Sequence, residues 1–219
     1  MKTLQGGEYM TSEQVKIKLT VVVPVYNSED FILRALNSIP VRDDIEIIII
    51  EDCSTDKSYE ICKDWAKDKN NCILLRNDIN RGVGYNKRMA YEMARGEYIV
   101  TVDSDDWCNT NDYNLAIDAL YRLNQDRIIF PAIYNDGHIS NGEVRTATWG
   151  QFLKKDFLVK NNLNFNPDHL RAEDWYLMIE LRKIPHTEIR ITGIVPYHYN
   201  ENREGSLTWR WKHGEFPED

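Results

Sequence analysis

The apolar positions of the chain fall into short continuous runs that alternate with spaced, one-sided faces. Residues 19–25 and 45–50 are almost unbroken stretches of Val, Ile and Leu, the pattern of strands buried on both sides. Pro24 sits near the end of the first run, where a missing N–H is tolerated. Between the runs, Phe31, Ala35, Leu36 and Ile39 share one helical face, with Ser28 as an offered cap and Pro40 as a stop. A second helix is predicted after Ser54, Thr55 and Asp56, with Ile61, Cys62, Trp65 and Ala66 inside. A strand at 73–75, a helix at 83–94 closed by Gly96, and a strand at 98–102 continue the alternation.

Such alternation predicts an α/β fold, a mostly parallel twisted sheet with helices on both faces. Ligands bind these sheets beyond the carboxyl ends of the strands. Four polar clusters therefore fall along one edge: Tyr26-Asn27, Glu51-Asp52, residues 77–80 and residues 103–106. Past Trp107 the pattern weakens. Helices are predicted at 115–123, 149–159 and 175–181, a strand at 128–133, and one or two strands within 189–199. Residues 135–137 form a turn leading towards Asn141-Gly142.

Composition narrows the class. With 219 residues, 42% hydrophobic and 28% charged, the chain can bury a core without staples, which excludes disorder, collagen and coiled coil. Its net charge of −8 argues against nucleic acid as the main partner. Cys53, Cys62, Cys72 and Cys108 form no C-x-x-C pair and have no His at zinc spacing, so they read as reduced thiols of a cytoplasmic protein. The start of the chain lacks a signal-peptide pattern, and the longest aliphatic runs are too short to span a bilayer. Peripheral attachment at the inner face of the membrane is compatible with this reading.

The run Asp103-Ser104-Asp105-Asp106 carries the strongest chemistry. Crowded carboxylates repel unless a cation neutralises them, and an all-oxygen set suits Mg²⁺ or Mn²⁺ shared with substrate phosphates. An isolated Asp-rich turn is more often a helix cap, but the place after a buried parallel strand favours the metal. In the stretch from Glu51 to Asp56, Ser54 or Asp56 serves as a cap, and Asp52 is left to accept from a nucleobase imide or a ribose hydroxyl. Gly82-Val83-Gly84 opens a helix whose N–H groups can face a diphosphate, with Lys87 and Arg88 one turn on. This is neither a dinucleotide fingerprint nor a Walker loop.

These segments together resemble the family 2 glycosyltransferases of the GT-A fold. The matching stretches are residues 21–27, 50–56 and 80–84, then Ala94-Arg95-Gly96-Glu97-Tyr98 leading into 103–106. Looser matches follow at Trp149-Gly150, Glu173-Asp174-Trp175 and residues 205–208. The resemblance implies transfer of a sugar from a nucleotide sugar, usually UDP-linked, with inversion. The acceptor it implies is a hydroxyl of a glycan or a lipid-linked glycan. It implies one compact domain: a tail over 1–17, a nucleotide-sugar half over 18–107, and an acceptor half with a C-terminal tail over 108–219.

Carried over by position, Pro24, Tyr26, Asn27, Asp52, Asn80, Gly82, Lys87, Asp103 and Ser104 bind the donor. Asp105 and Asp103, with His198, hold Mn²⁺ or Mg²⁺, and Asp174 or Glu173 is the general base. The chain departs from the pattern at Asn86-Lys87-Arg88, where Ala-Arg-Asn is usual, and at Asn200, where an Arg often follows the Tyr. Trp149, Trp175, Trp209 and Trp211 are candidate platforms for a sugar ring, and the segment 209–213 suits an anionic surface. The rival readings are a non-catalytic or partner-dependent sugar-nucleotide binder and a transferase acting on modified DNA bases. A pyrophosphorylase is excluded by the lack of a glycine-rich loop after the first strand.

Overall fold

The computed structural model describes residues 16–140, 147–169, 172–201 and 203–214. The expected N-terminal tail, apart from Lys16 and Ile17, and the turn residues Asn141-Gly142 lie outside the described residues. Strand and helix alternate as β1 (Leu19–Val25), α1 (Ile32–Ser38), β2 (Ile45–Glu51), α2 (Ser58–Ala66), β3 (Cys72–Arg76), α3 (Val83–Met93) and β4 (Tyr98–Thr101). Then come β5 (Trp107–Cys108), α4 (Thr110–Leu120), β6 (Arg127–Ile129), β7 (Ala132–Tyr134) and β8 (Gln151–Lys154). The chain continues through α5 (Lys155–Lys160), α6 (Glu173–Arg182), β9 (Glu188–Arg190), β10 (Tyr197–Tyr199) and α7 (Leu207–Lys212).

Among the described residues one sheet runs in the order β3-β2-β1-β4-β8-β6-β9, parallel from β3 to β4 and antiparallel on both sides of β8. A smaller sheet, β5-β10-β7, folds over the carboxyl end of the first. The strand period of two divides the core cleanly. Val21, Val23 and Val25 of β1 join Ile45, Ile47 and Ile49 of β2 against α1, α2 and α4. Val22, Ile48, Ile50 and Ile99 face α3, α5 and α6. Each such buried side chain contributes about 1.5–3 kcal/mol, which is why the continuous aliphatic runs sit centrally.

The end of the sheet away from the carboxyl edge is fixed by a polar knot. The buried Glu46 accepts from Thr20 Oγ1 (2.8 Å), Arg95 N (2.8 Å) and Arg95 Nε (2.5 Å). Gly96 permits the approach, since a Cβ there would lie 2.4 Å from Thr20 N. The Ala94-to-Tyr98 motif is therefore scaffold in this fold. Pro24 needs no N–H because β1 pairs with β4 only as far as Val22↔Thr101.

Three expectations are corrected. The predicted helix at 149–159 is split: residues 151–154 form β8, captured between β4 and β6, and only 155–160 are helical. The predicted strand at 128–133 breaks at Phe130-Pro131, its halves entering different sheets as β6 and β7. Ser28 does not cap α1 with its side chain; its hydroxyl bonds Tyr26 O and Ser104 Oγ instead. The four cysteines are free. No helix among the described residues is long and apolar enough to cross a membrane.

Candidate active site

The carboxyl ends of β1, β2, β3 and β4 lie side by side, and the polar clusters predicted from sequence meet there. Glu51, at the end of β2, is fully buried, accepting from Ser54 N (2.6 Å) and pairing with Arg76 Nε (3.0 Å) at the end of β3. The next residue, Asp52, is also buried, and its carboxylate is fully engaged by protein donors. Oδ1 accepts from Asn77 Nδ2 (2.7 Å) and Arg81 N (2.8 Å), and Oδ2 accepts from Gly82 N (2.8 Å). Asp52 thus shapes the loop that enters α3. Gly82 adopts φ 84°, a backbone state suited to glycine, and its N–H also meets Asn80 Oδ1 at 3.0 Å.

Tyr26, 43% exposed, stands beyond β1 as an open aromatic face. Asn27 takes a left-handed φ of 44°, and its Oδ1 accepts from Thr55 N (2.9 Å), tying the first loop to the second. Ser104 is buried against Ser28, Oγ to Oγ 2.7 Å.

The acids after β4 take three different environments. Asp106 is buried and structural: it accepts from Tyr197 Oη (2.5 Å) and Asn200 N (2.7 Å), clamping β10 onto this turn. Burial, with Asp103 and Asp105 nearby, raises its pKa well above the usual carboxylate range. Asp105 Oδ2 lies 3.4 Å from Arg203 Nη1; burial raises its pKa against that arginine's pull. Asp103, with its side chain 28% exposed, faces the other way, 3.8 Å from Lys87 Nζ. Burial pushes Asp103 up to about 7 despite Lys87, with Asp174, Asp105 and Glu173 adding to the rise.

Lys87 is the hub. Its side chain is 2% exposed, and Nζ donates to Glu173 Oε1 (2.7 Å) and Asp174 Oδ1 (2.9 Å). Burial alone would lower its pKa, but Asp174, Glu173 and Asp103 hold it well above the ordinary value. Asp174 also accepts from Thr148 N (2.8 Å) and Thr148 Oγ1 (2.9 Å). Glu173 and Asp174 open α6, where the helix dipole favours acids. Ala172, the residue before them, is left-handed at φ 52°.

The structure therefore brings Asp103, Lys87, Glu173 and Asp174 into one cluster, and Asp52, Asn80 and Gly82 into a second beside it. His198 sits apart from both, stacked on Trp107 with ring centroids 4.9 Å apart; burial and nearby Arg34 lower its pKa. Among the described residues no group of three His, Cys, Asp or Glu side chains is arranged to hold a metal ion. Trp149 is core rather than platform, stacked between Tyr197 (5.1 Å) and Tyr199 (4.8 Å). Trp175 is 44% exposed beside the acids, and Trp209 stacks on His213. The side chain of Trp211 lies outside the described residues.

Sequence reasoning missed Thr148 and Arg203, and it gave no individual role to Asn77 or Asn86. Asn86 Oδ1 accepts from Asn77 Nδ2 (2.7 Å), which explains an amide where the family pattern has alanine. Thr148 carried a signal, since it directly precedes the Trp149-Gly150 match.

A parallel sheet with acids at the end of β4, facing a second acidic pair at the start of a later helix, defines the GT-A class of fold. The chain belongs to glycosyl transferase family 2, whose model matches residues 20–175. It is 28% identical to a Bacillus spizizenii poly(ribitol-phosphate) beta-glucosyltransferase over 86% of this chain and 33% of that protein. It is 24% identical to the Staphylococcus aureus poly(ribitol-phosphate) beta-N-acetylglucosaminyltransferase TarS, over 86% of this chain and 36% of TarS. The chain thus spans about a third of the length of these curated relatives. In fold it resembles TarS residues 1–349 in complex with UDP-GlcNAc, with TM-score 0.76 and 23% identity over 86% of this chain and 60% of that one. It also resembles a Pyrobaculum calidifontis mannosyltransferase in complex with GDP-Man and Mn²⁺, with TM-score 0.70 and 20% identity over 90% of this chain and 60% of that one.

Proposed function

We propose that this chain transfers a sugar from a UDP-sugar to a hydroxyl of a glycan-type polymer, with inversion and with Mn²⁺ or Mg²⁺ as cofactor. The observation that carries the reading is the placement of Asp103, from β4, and Glu173-Asp174, from α6, around one buried lysine at the carboxyl edge of the sheet. On this reading Asp103 serves the donor side and the Glu173-Asp174 pair serves the acceptor side. The curated relatives named for poly(ribitol-phosphate) make a polyol-phosphate polymer the first acceptor to try.

The donor set fits a divalent cation. Asp103 and Asp105 offer only oxygens, and burial raises the pKa of each, a cost to the charged carboxylates that a bound cation would offset. A bound cation would stabilise the negative charge on the departing diphosphate. Tyr26 and Pro24 border the space for the nucleobase, with Asn27 fixing the shape of their loop. Asp52 keeps the 80–82 loop and the start of α3 in place beside the diphosphate, and Ser104, held by Ser28, positions the turn between Asp103 and Asp105.

In the transfer, the acceptor oxygen bonds to the anomeric carbon as the carbon–oxygen bond to the diphosphate breaks. The bonding pair leaves with the diphosphate, and the hydroxyl proton passes to a carboxylate. Asp174 is taken as the base because Thr148 and Lys87 fix the orientation of its carboxylate; Glu173 shares the Lys87 ammonium. Base assistance of this kind contributes about 10²–10⁴-fold.

The test is calorimetry with UDP, GDP, CDP and dTDP, with and without Mn²⁺, followed by UDP release from UDP-glucose and UDP-GlcNAc with poly(ribitol phosphate). Mn²⁺-dependent UDP binding and acceptor-dependent release are expected. Absence of any nucleotide binding would overturn the reading.

A further inference from the structure

Lys87 poses a problem that a donor-binding role does not solve. Its ammonium is enclosed, with a side chain only 2% exposed, and two of its three N–H groups are already given to Glu173 and Asp174. The Phe165 ring lies 5.7 Å from Nζ, closing a further side. A group so committed is poorly placed to reach a phosphate.

Its neighbours on α3 point to a different task. Gly84 lies three residues before Lys87, so the two share a helix face. At Gly84 a Cβ would come within 2.9 Å of His169 O and 3.2 Å of Asn166 O, so the missing side chain lets the segment before α6 press against α3. That segment then enters α6 through the left-handed Ala172, with no side-chain cap on the helix. Among the described residues, Lys87 joins Thr148 in bonding the acids of the first turn of α6.

We propose that Lys87 is a positioning residue, whose buried ammonium clamps Glu173 and Asp174 in register with Asp103 and does not contact the donor diphosphate. This rests on the reading of Glu173-Asp174 as the base pair. A buried ion cluster exchanged whole for apolar side chains of similar volume often costs little, but removal of the lysine alone leaves its carboxylates without a counter-ion. A lysine here also fixes where two carboxylates point. A misplacement of about 1 Å at a reacting group costs about 100-fold in rate.

The experiment compares wild type with K87M and K87R. It measures UDP affinity in Mn²⁺ by calorimetry, UDP release at saturating UDP-sugar with poly(ribitol phosphate), and amide exchange across residues 173–177. In K87M, UDP affinity should stay within about threefold while kcat falls about 100-fold. Exchange at 173–177 should quicken about tenfold beyond any change shared by the amides of β1 and β2. K87R, which keeps charge and donors, should recover most of the lost kcat.

A K87M protein whose UDP affinity drops tenfold or more while saturated kcat stays within about threefold would make Lys87 a diphosphate contact and overturn the proposal. Unchanged kcat with unchanged exchange would overturn it equally. Should K87M fail to fold, K87Q is judged by the same criteria. A wild-type chain that binds no nucleotide and releases no UDP overturns the function itself. A working wild type with an unimpaired K87M sinks only the role of Lys87.

Discussion

Asp52 Oδ2 accepts the backbone N–H of Gly82 at 2.8 Å, joining the loop after β2 to the loop that opens α3 across thirty residues of chain. The other oxygen takes Arg81 N and Asn77 Nδ2. An acid that looks from sequence like a ligand for a base or ribose also braces, in the fold, the loop at 80–82. The two roles make different predictions.

In D52N one oxygen becomes an NH₂ that confronts a backbone N–H. Bonds to a buried charge contribute about 1.5–3 kcal/mol each, and a loss of about 2–4 kcal/mol is expected in urea unfolding. UDP affinity should fall with it, because the 80–82 loop loosens. Full stability with reduced UDP binding would instead mean that Asp52 acts on the ligand directly.

Gly84→Ala tests the close packing beside the acids. The added Cβ meets carbonyl oxygens of the 166–169 backbone at 2.9 and 3.2 Å, so that segment must move. Because Glu173 begins α6 only four residues after His169, transfer should drop about tenfold or more while the core loses only about 1–3 kcal/mol. Thermal unfolding and UDP-release assays on one preparation separate the two effects. A fully active G84A would show that the acids tolerate movement of their approach segment.

How much of this was legible beforehand depends on where the determining contacts lie. β1, β2 and α3 could be read because strands buried on both faces need continuous aliphatic runs, and amphipathic helices need a spaced face. β8 could not, because Gln151 to Lys154 is four residues long and becomes a strand only by pairing with β4 and β6. The acids after β4 were visible as a group, but their division of labour was not. Asp106 turned out to clamp Tyr197 and Asn200, which are about ninety residues away. Lys87 reads from sequence as a phosphate contact, because the carboxylates it bonds are equally remote in the chain. Local pattern places the edge of the sheet; long-range burial decides what each residue does there.

Replacing the acids of α6 one at a time should rank them. D174N removes a carboxylate fixed by three protein hydrogen bonds, and UDP release at saturating donor should fall about 10²–10⁴-fold with UDP affinity retained. E173Q should cost less. The reverse order would make Glu173 the base and leave Asp174 as its support.

Acid sensitivity should arise far from the active site, at Asp44. Arg42 Nε and Nη2 donate to its two oxygens, each at 2.8 Å, and Tyr121 Oη donates to Oδ2. The Arg42 hydrogen bonds hold the Asp44 carboxyl below its ordinary value, outweighing the cost of burial. The folded chain therefore binds fewer protons here than the unfolded chain, and stability from this pair is complete above the unfolded carboxylate pKa of about 4. It is lost as pH falls through that value towards the lower folded one. The stability gap between wild type and D44N should be flat from about pH 7 to 5 and should narrow below about 4, read from urea midpoints at each pH. A gap that stays constant into acid would mean that the Arg42–Asp44 pair contributes by shape alone.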